Sequence, residues 1–179
     1  LQVKVIEGWG AVDYISVQNG ATSISTPDDG GKDYRIGPKS SPDKWLDSMS
    51  DNMVDDSALG IYSFPRAKHS QVWHVVLLGK GEYRISPKDN PEQAVTRVTR
   101  TADIDGTSRS RGGLYKYAGD AAQQWELVPG DPGFYRIVNT FDHRCLNVGG
   151  GKNDEGAAVI LYQLTTGDND QWRFIPVVK

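Results

Sequence analysis

Residues Gly133 to Val177 read GFYRIVNTFDHRCLNVGGGKNDEGAAVILYQLTTGDNDQWRFIPV. Four short runs stand out: Tyr135–Val138, Cys145–Val148, Val159–Tyr162 and Trp172–Ile175. Each is β-branched or aromatic, and Gly, Asn or Asp residues bound it. That pattern predicts strands joined by turns.

The two preceding stretches carry the same landmarks. Tyr34-Arg35-Ile36, Tyr83-Arg84-Ile85 and Tyr135-Arg136-Ile137 open three segments, 49 and then 52 residues apart. Ile61-Tyr62, Leu114-Tyr115 and Leu161-Tyr162 mark a third strand in each segment. Trp73, Trp125 and Trp172 close them, eleven, ten and ten residues after that tyrosine. The segments are therefore repeats, of about residues 33–81, 82–132 and 133–179. A unit this short cannot bury its own apolar face, so three must share one core. Twelve strands result. A barrel closed by one hairpin from each repeat would remove the exposed sheet edges.

The order Y-x-I, then L-D/N-x, then L-Y, then Q-x-W resembles the ricin-B-type β-trefoil lectin family. CLNVGGG and GDNDQW in the third repeat carry the resemblance furthest. Gln71-Val72-Trp73 and Gln123-Gln124-Trp125 keep Q-x-W, whereas the third repeat has Asp170 two residues before Trp172. The likeness covers about residues 33–179 and implies an all-β chain, a β-trefoil of three four-strand repeats. It also implies a non-catalytic carbohydrate-binding function toward glycans or glycoproteins, with galactose-type sugars as first candidates.

In that family a carboxylate on the second strand accepts bonds from neighbouring sugar hydroxyls. An aromatic ring fifteen residues later stacks on the sugar's C–H face, and an Asn before the closing Trp completes the pocket. Sugars present both a C–H face and a hydroxyl edge, so this combination suits them. Here the interval falls on Asn147 and Tyr162, followed by Asn169 and Asp170. It recurs as Asp47 and Tyr62, followed by Ser70 and Gln71. The second repeat has Thr96 and Tyr115 nineteen apart, with no acid in place. The expected carbohydrate contacts are thus Asn147, Tyr162, Asn169 and Asp170, with Asp47, Tyr62 and Gln71 as a second set. Gln71 and Gln123 also have a plainer reading as turn braces. Cys145 occupies a half-cystine position of some family members, but the partner position is Leu164, so a buried free thiol is expected.

Composition narrows the remaining classes. The chain has 179 residues, 20 Gly, 9 Pro, a net charge of −3 and a pI near 5.6. Frequent turn residues favour β structure over helix. An acidic balance argues against nucleic acid, which demands a basic face. No apolar run is long enough for a membrane helix. The single cysteine, Cys145, allows no internal disulfide. The sequence starts at Leu1 without a signal-peptide pattern, as a processed product or an excised domain would, and compartment is left open. No G-x-S-x-G turn supports a serine nucleophile, and Gly149–Gly151 is not followed by a helix start, as a phosphate loop would be. No cofactor and no metal is implied, because His69 and His74 lack partners at ligand spacing and Asp51, Asp55 and Asp56 lack the EF-hand pattern.

Two segments depart from the repeat. Residues 1–32 read as a β-rich extension with strands near Val3–Ile6, Tyr14–Val17 and Thr22–Ser25 and a turn at Asn19-Gly20. The stretch RVTRTADIDGTSRSR, residues 97–111, reads as a mobile polar loop. Its alternative is a partner-binding loop presenting Arg109 or Arg111 to a trypsin-like pocket, as β-trefoil protease inhibitors do.

Overall fold

The computed structural model describes residues 15–18, 21–24, 31–66, 70–104 and 107–177. Strands β1 (Ile15–Gln18) and β2 (Ala21–Ile24) form a two-stranded antiparallel sheet with Gln18 opposite Ala21. The strand expected at Val3–Ile6 lies outside the described residues.

Each repeat then contributes four strands. The first holds β3 (Lys32–Pro38), β4 (Lys44–Asp47), β5 (Gly60–Ser63) and β6 (Trp73–Gly79). The second holds β7 (Glu82–Pro87), β8 (Gln93–Ile104), β9 (Thr107–Lys116) and β10 (Trp125–Pro129). The third holds β11 (Tyr135–Asn139), β12 (Cys145–Val148), β13 (Ala157–Tyr162) and β14 (Trp172–Pro176). The four strands expected in the third repeat all form.

The first and fourth strands of the repeats pair into a closed ring, β10-β7-β6-β3-β14-β11 and back to β10. Every stave has two neighbours, so the ring has no open edge. The second and third strands form three hairpins, β4–β5, β8–β9 and β12–β13, which meet where β13 pairs with both β5 and β9. A six-stranded barrel capped by three hairpins is the β-trefoil. The barrel's own hairpins, β6–β7, β10–β11 and the β14–β3 closure, cross repeat boundaries rather than lying within a repeat. This differs from the expectation of one barrel hairpin from each repeat.

Aromatic residues set the symmetry. Trp73, Trp125 and Trp172 lie opposite Tyr34, Tyr83 and Tyr135 of their own repeats. All three indoles are fully buried. Each Nε1 donates to a second-strand carbonyl oxygen: Trp73 to Leu46 at 3.0 Å, Trp125 to Val95 at 2.9 Å and Trp172 to Leu146 at 2.9 Å. Each repeat thus ties its barrel stave to its own cap hairpin, and satisfies a polar group that burial would otherwise penalise. Ile36, Ile85 and Ile137 fill the barrel between them, and Phe174 meets Tyr34 and Tyr135 edge-on.

The 97–111 segment is not a loop. It is most of the longest hairpin, paired from Gln93 opposite Lys116 to Ile104 opposite Thr107, with a register shift between Val98 and Thr101. Its polar composition includes the β-branched residues Val98, Thr99, Thr101, Ile104 and Thr107, types that suit a pleated ladder. The acidic insertion in the first repeat anchors this hairpin. Asp55 accepts from the Lys116 amide at 2.8 Å, and Asp56 pairs with Arg111.

Candidate carbohydrate site

Three positions correspond in the cap hairpins. Asp47, Thr96 and Asn147 each follow the carbonyl that receives the tryptophan bond. In the third repeat Asn147 lies opposite Ile160, and Cys145 opposite Tyr162. Residues directly opposite in an antiparallel pair share a face, so Asn147 and Tyr162 are diagonal neighbours on one face, about 7–8 Å apart at the backbone. Leu146, Val148, Val159 and Leu161 turn the other way into the core.

A short 3-10 turn, Asp168–Asp170, delivers Asn169 beside this face. Its Nδ2 donates to Asn147 Oδ1 at 3.0 Å and to the Val148 carbonyl oxygen at 3.1 Å. Both amides are thereby oriented. Among the described residues nothing accepts from Asn147 Nδ2, which leaves two donors beside the Asn169 carbonyl oxygen. The pair offers a hydroxyl both a donor and an acceptor.

Asp170 does not join them. It is fully buried, and its Oδ2 accepts from the Thr165 amide and hydroxyl, both at 2.8 Å. Its Oδ1 accepts from Arg136 Nε at 3.2 Å. The carboxylate holds the loop between β13 and β14 and is not aimed at a ligand. Gln71 is held in the same way. It is buried, its Oε1 accepts from the Arg66 amide at 3.0 Å, and its Nε2 donates to the Tyr62 and Ser63 carbonyl oxygens at 3.3 and 3.1 Å. Gln123 repeats that pattern against Ala118, Tyr115 and Lys116. Gln71, Gln123 and Asp170 are one device used three times, a side chain that closes the turn before the tryptophan.

In the first repeat Asp47 lies opposite Gly60 and Trp45 opposite Tyr62, so Asp47 and Tyr62 share a face as expected. The space between them is taken. Asp47 is fully buried, and its Oδ1 accepts from the Met49 amide at 2.8 Å and from Arg66 Nη1 at 3.3 Å. The same guanidinium lies 3.5 Å from the centroid of the Tyr62 ring. Sequence reasoning missed Arg66. Its signal was position, five residues before the turn-closing side chain, where the other repeats have Ala118 and Thr165. Ser70 replaces Asn169 and is buried, bonding Ser48 and Val72.

The second repeat lacks the chemistry. Thr96 Oγ1 donates to the Ala94 carbonyl oxygen at 2.8 Å and accepts from Gln123 Nε2 at 3.1 Å. Arg111, one of the two arginines offered for a protease, is buried and donates to the Asp56 carbonyl oxygen at 2.9 Å besides its ion pair. It cannot enter a protease pocket. The Arg109 side chain lies outside the described residues.

Cys145 is a buried free cysteine, as expected, and its Sγ donates to the Tyr162 carbonyl oxygen at 3.3 Å. Burial, with the nearby Asp170 charge, pushes its thiol pKa up to about 12.

Residues 121–179 match the ricin-type β-trefoil lectin domain-like family. No curated protein matches the sequence. Among solved structures, the designed three-fold symmetric protein ThreeFoil superposes with a TM-score of 0.71 at 29% identity, over 81% of this chain and 99% of that one. The Rhizoctonia solani agglutinin gives 0.65 at 21% identity, over 86% and 99%. An exo-β-1,3-galactanase from Clostridium thermocellum gives 0.65 at 22% identity, over 88% of this chain but 32% of the enzyme. The enzyme is thus a far longer protein, and the shared part is the trefoil. The family match and the lectin-type trefoil support carbohydrate binding as a general class, by a binding module rather than a catalytic one.

Proposed function

We propose that residues 33–179 form a lectin-type module that binds glycans or glycoproteins through the third repeat, at Asn147, Asn169 and the ring of Tyr162. The observation that carries this reading is the 3.0 Å bond from Asn169 to Asn147, which fixes two amides on the face that also bears Tyr162. Preordered donors and acceptors cost little to bind, because their rotamers are already set. A sugar hydroxyl donates to the Asn169 carbonyl oxygen while a neighbouring one accepts from Asn147 Nδ2. The C–H face of the ring then lies on Tyr162. Asn147 and Asn169 carry no charge, so recognition rests on geometry and stacking.

Galactose-type sugars are the first candidates, on the sequence resemblance. A monosaccharide held by so few groups binds with millimolar affinity, about −4 kcal/mol. Multivalent glycoproteins on a surface presenting many chains raise that by avidity. A glycan array with the wild type and Asn169→Ala tests the reading. Galactose-terminated glycans should retain the wild type and release the variant. A wild type that binds no glycan overturns the proposal.

A further inference from the structure

The first repeat has the backbone of a sugar pocket and one added part. Its hairpin register matches the third repeat's, Trp45 opposite Tyr62 as Cys145 is opposite Tyr162. Tyr62 is seated from behind by the third repeat, since a Cβ on Gly156 would lie 2.6 Å from its hydroxyl. Into this pocket Arg66 places a planar cation. The guanidinium covers the ring at 3.5 Å and donates to Asp47 at 3.3 Å.

Those two contacts are the ones a sugar would make. A pyranose offers its C–H face to the aromatic ring and its hydroxyl hydrogens to the carboxylate, and Arg66 supplies a flat face and N–H donors to the same two groups. Asp47 is inaccessible behind it, while the Arg66 side chain remains 30% exposed. A small neutral ligand reaches Asp47 and Tyr62 only by displacing a charged group that already contacts both. The main chain of Arg66 is itself fixed, its amide donating to Gln71 at 3.0 Å.

We infer that Arg66 is an internal plug that keeps a second carbohydrate pocket, Asp47 and Tyr62, closed, so that the folded chain has one working site and one latent one. The choice of sugar rests on the reading of the third repeat given above, whereas the plug itself rests on the first repeat alone. Thr165, whose amide donates to Asp170 as that of Arg66 donates to Gln71, stands at the matching place in the third repeat and carries no charge to do the same.

Backbone-amide NMR during a titration with lactose, a galactose-terminated disaccharide, reads each repeat separately. The variants are Arg66→Ala and Arg66→Gln, the second keeping a donor and most of the stem. In the wild type only amides near 145–169 should shift. Both variants should add a second set near 45–63, lost again in Arg66→Ala combined with Tyr62→Ala. Unchanged dispersion elsewhere shows that each variant is folded. Variants that gain no second set overturn the plug, as does a wild type whose 45–63 amides shift already. A wild type silent everywhere, with variants that bind at 45–63, overturns the third-repeat site and leaves the plug standing.

Discussion

The indole Nε1 of Trp172 donates to the carbonyl oxygen of Leu146 at 2.9 Å, joining a barrel stave to the hairpin that carries Asn147. The same bond occurs in the other repeats within 0.1 Å, at 2.9 and 3.0 Å. The three tryptophans are therefore interchangeable parts of one device. Replacing any one by Phe leaves a buried carbonyl without its side-chain donor, at a cost of about 1–3 kcal/mol before any cavity is counted. Urea denaturation of Trp73→Phe, Trp125→Phe and Trp172→Phe should show losses of similar size. One variant without loss would break the equivalence.

Asp170 separates structural from ligand-binding roles. Its replacement by Ala removes the partner of Arg136 and the acceptor for Thr165 inside the protein. Breaking a buried pair from one side costs about 3–5 kcal/mol. Asp170→Asn keeps an acceptor for the Thr165 amide and should lose less. Folded Asp170→Asn should also bind glycan as the wild type does. Selective loss of binding at unchanged stability would return Asp170 to the pocket.

Sequence landmarks reached the fold because the repeated Ile and Trp residues, with Tyr34 and Tyr83, are buried, and burial forces apolar identity at fixed spacing. They placed Asn147 and Tyr162 on one face because a fifteen-residue interval across a hairpin is a statement about register. Three things escaped. The 97–111 hairpin is held by backbone pairing and the Arg111–Asp56 bond, and a strand pair of polar residues reads like a loop. Asp170 and Gln71 have the residue types of ligand contacts, yet their direction depends on turn geometry. Arg66 reaches Asp47 and Tyr62 from the next loop, and a long side chain leaves no periodic trace.

Cys145 should be chemically silent in the folded protein. Its thiol pKa is pushed up to about 12, which leaves almost no thiolate at neutral pH, and it is the thiolate that reacts. Iodoacetamide at pH 8 should leave the native chain unlabelled and modify one cysteine after denaturation. Rapid labelling of the native protein would show that the β12–β13 hairpin opens, contrary to the buried position of Cys145.

We propose that the third repeat binds carbohydrate through the aromatic ring of Tyr162 and the amides of Asn147 and Asn169. Tyr162 is half-buried on the cap and outside the shared core, so its side chain can be removed with limited effect on folding. The most direct measurement compares the binding of wild type and Tyr162→Ala to an immobilised galactose-terminated glycoprotein, with melting temperatures recorded alongside. Stacking of this kind contributes about 0.5–1.5 kcal/mol beyond area burial, so the variant should bind several-fold more weakly. Undiminished binding by a folded Tyr162→Ala chain would contradict the account.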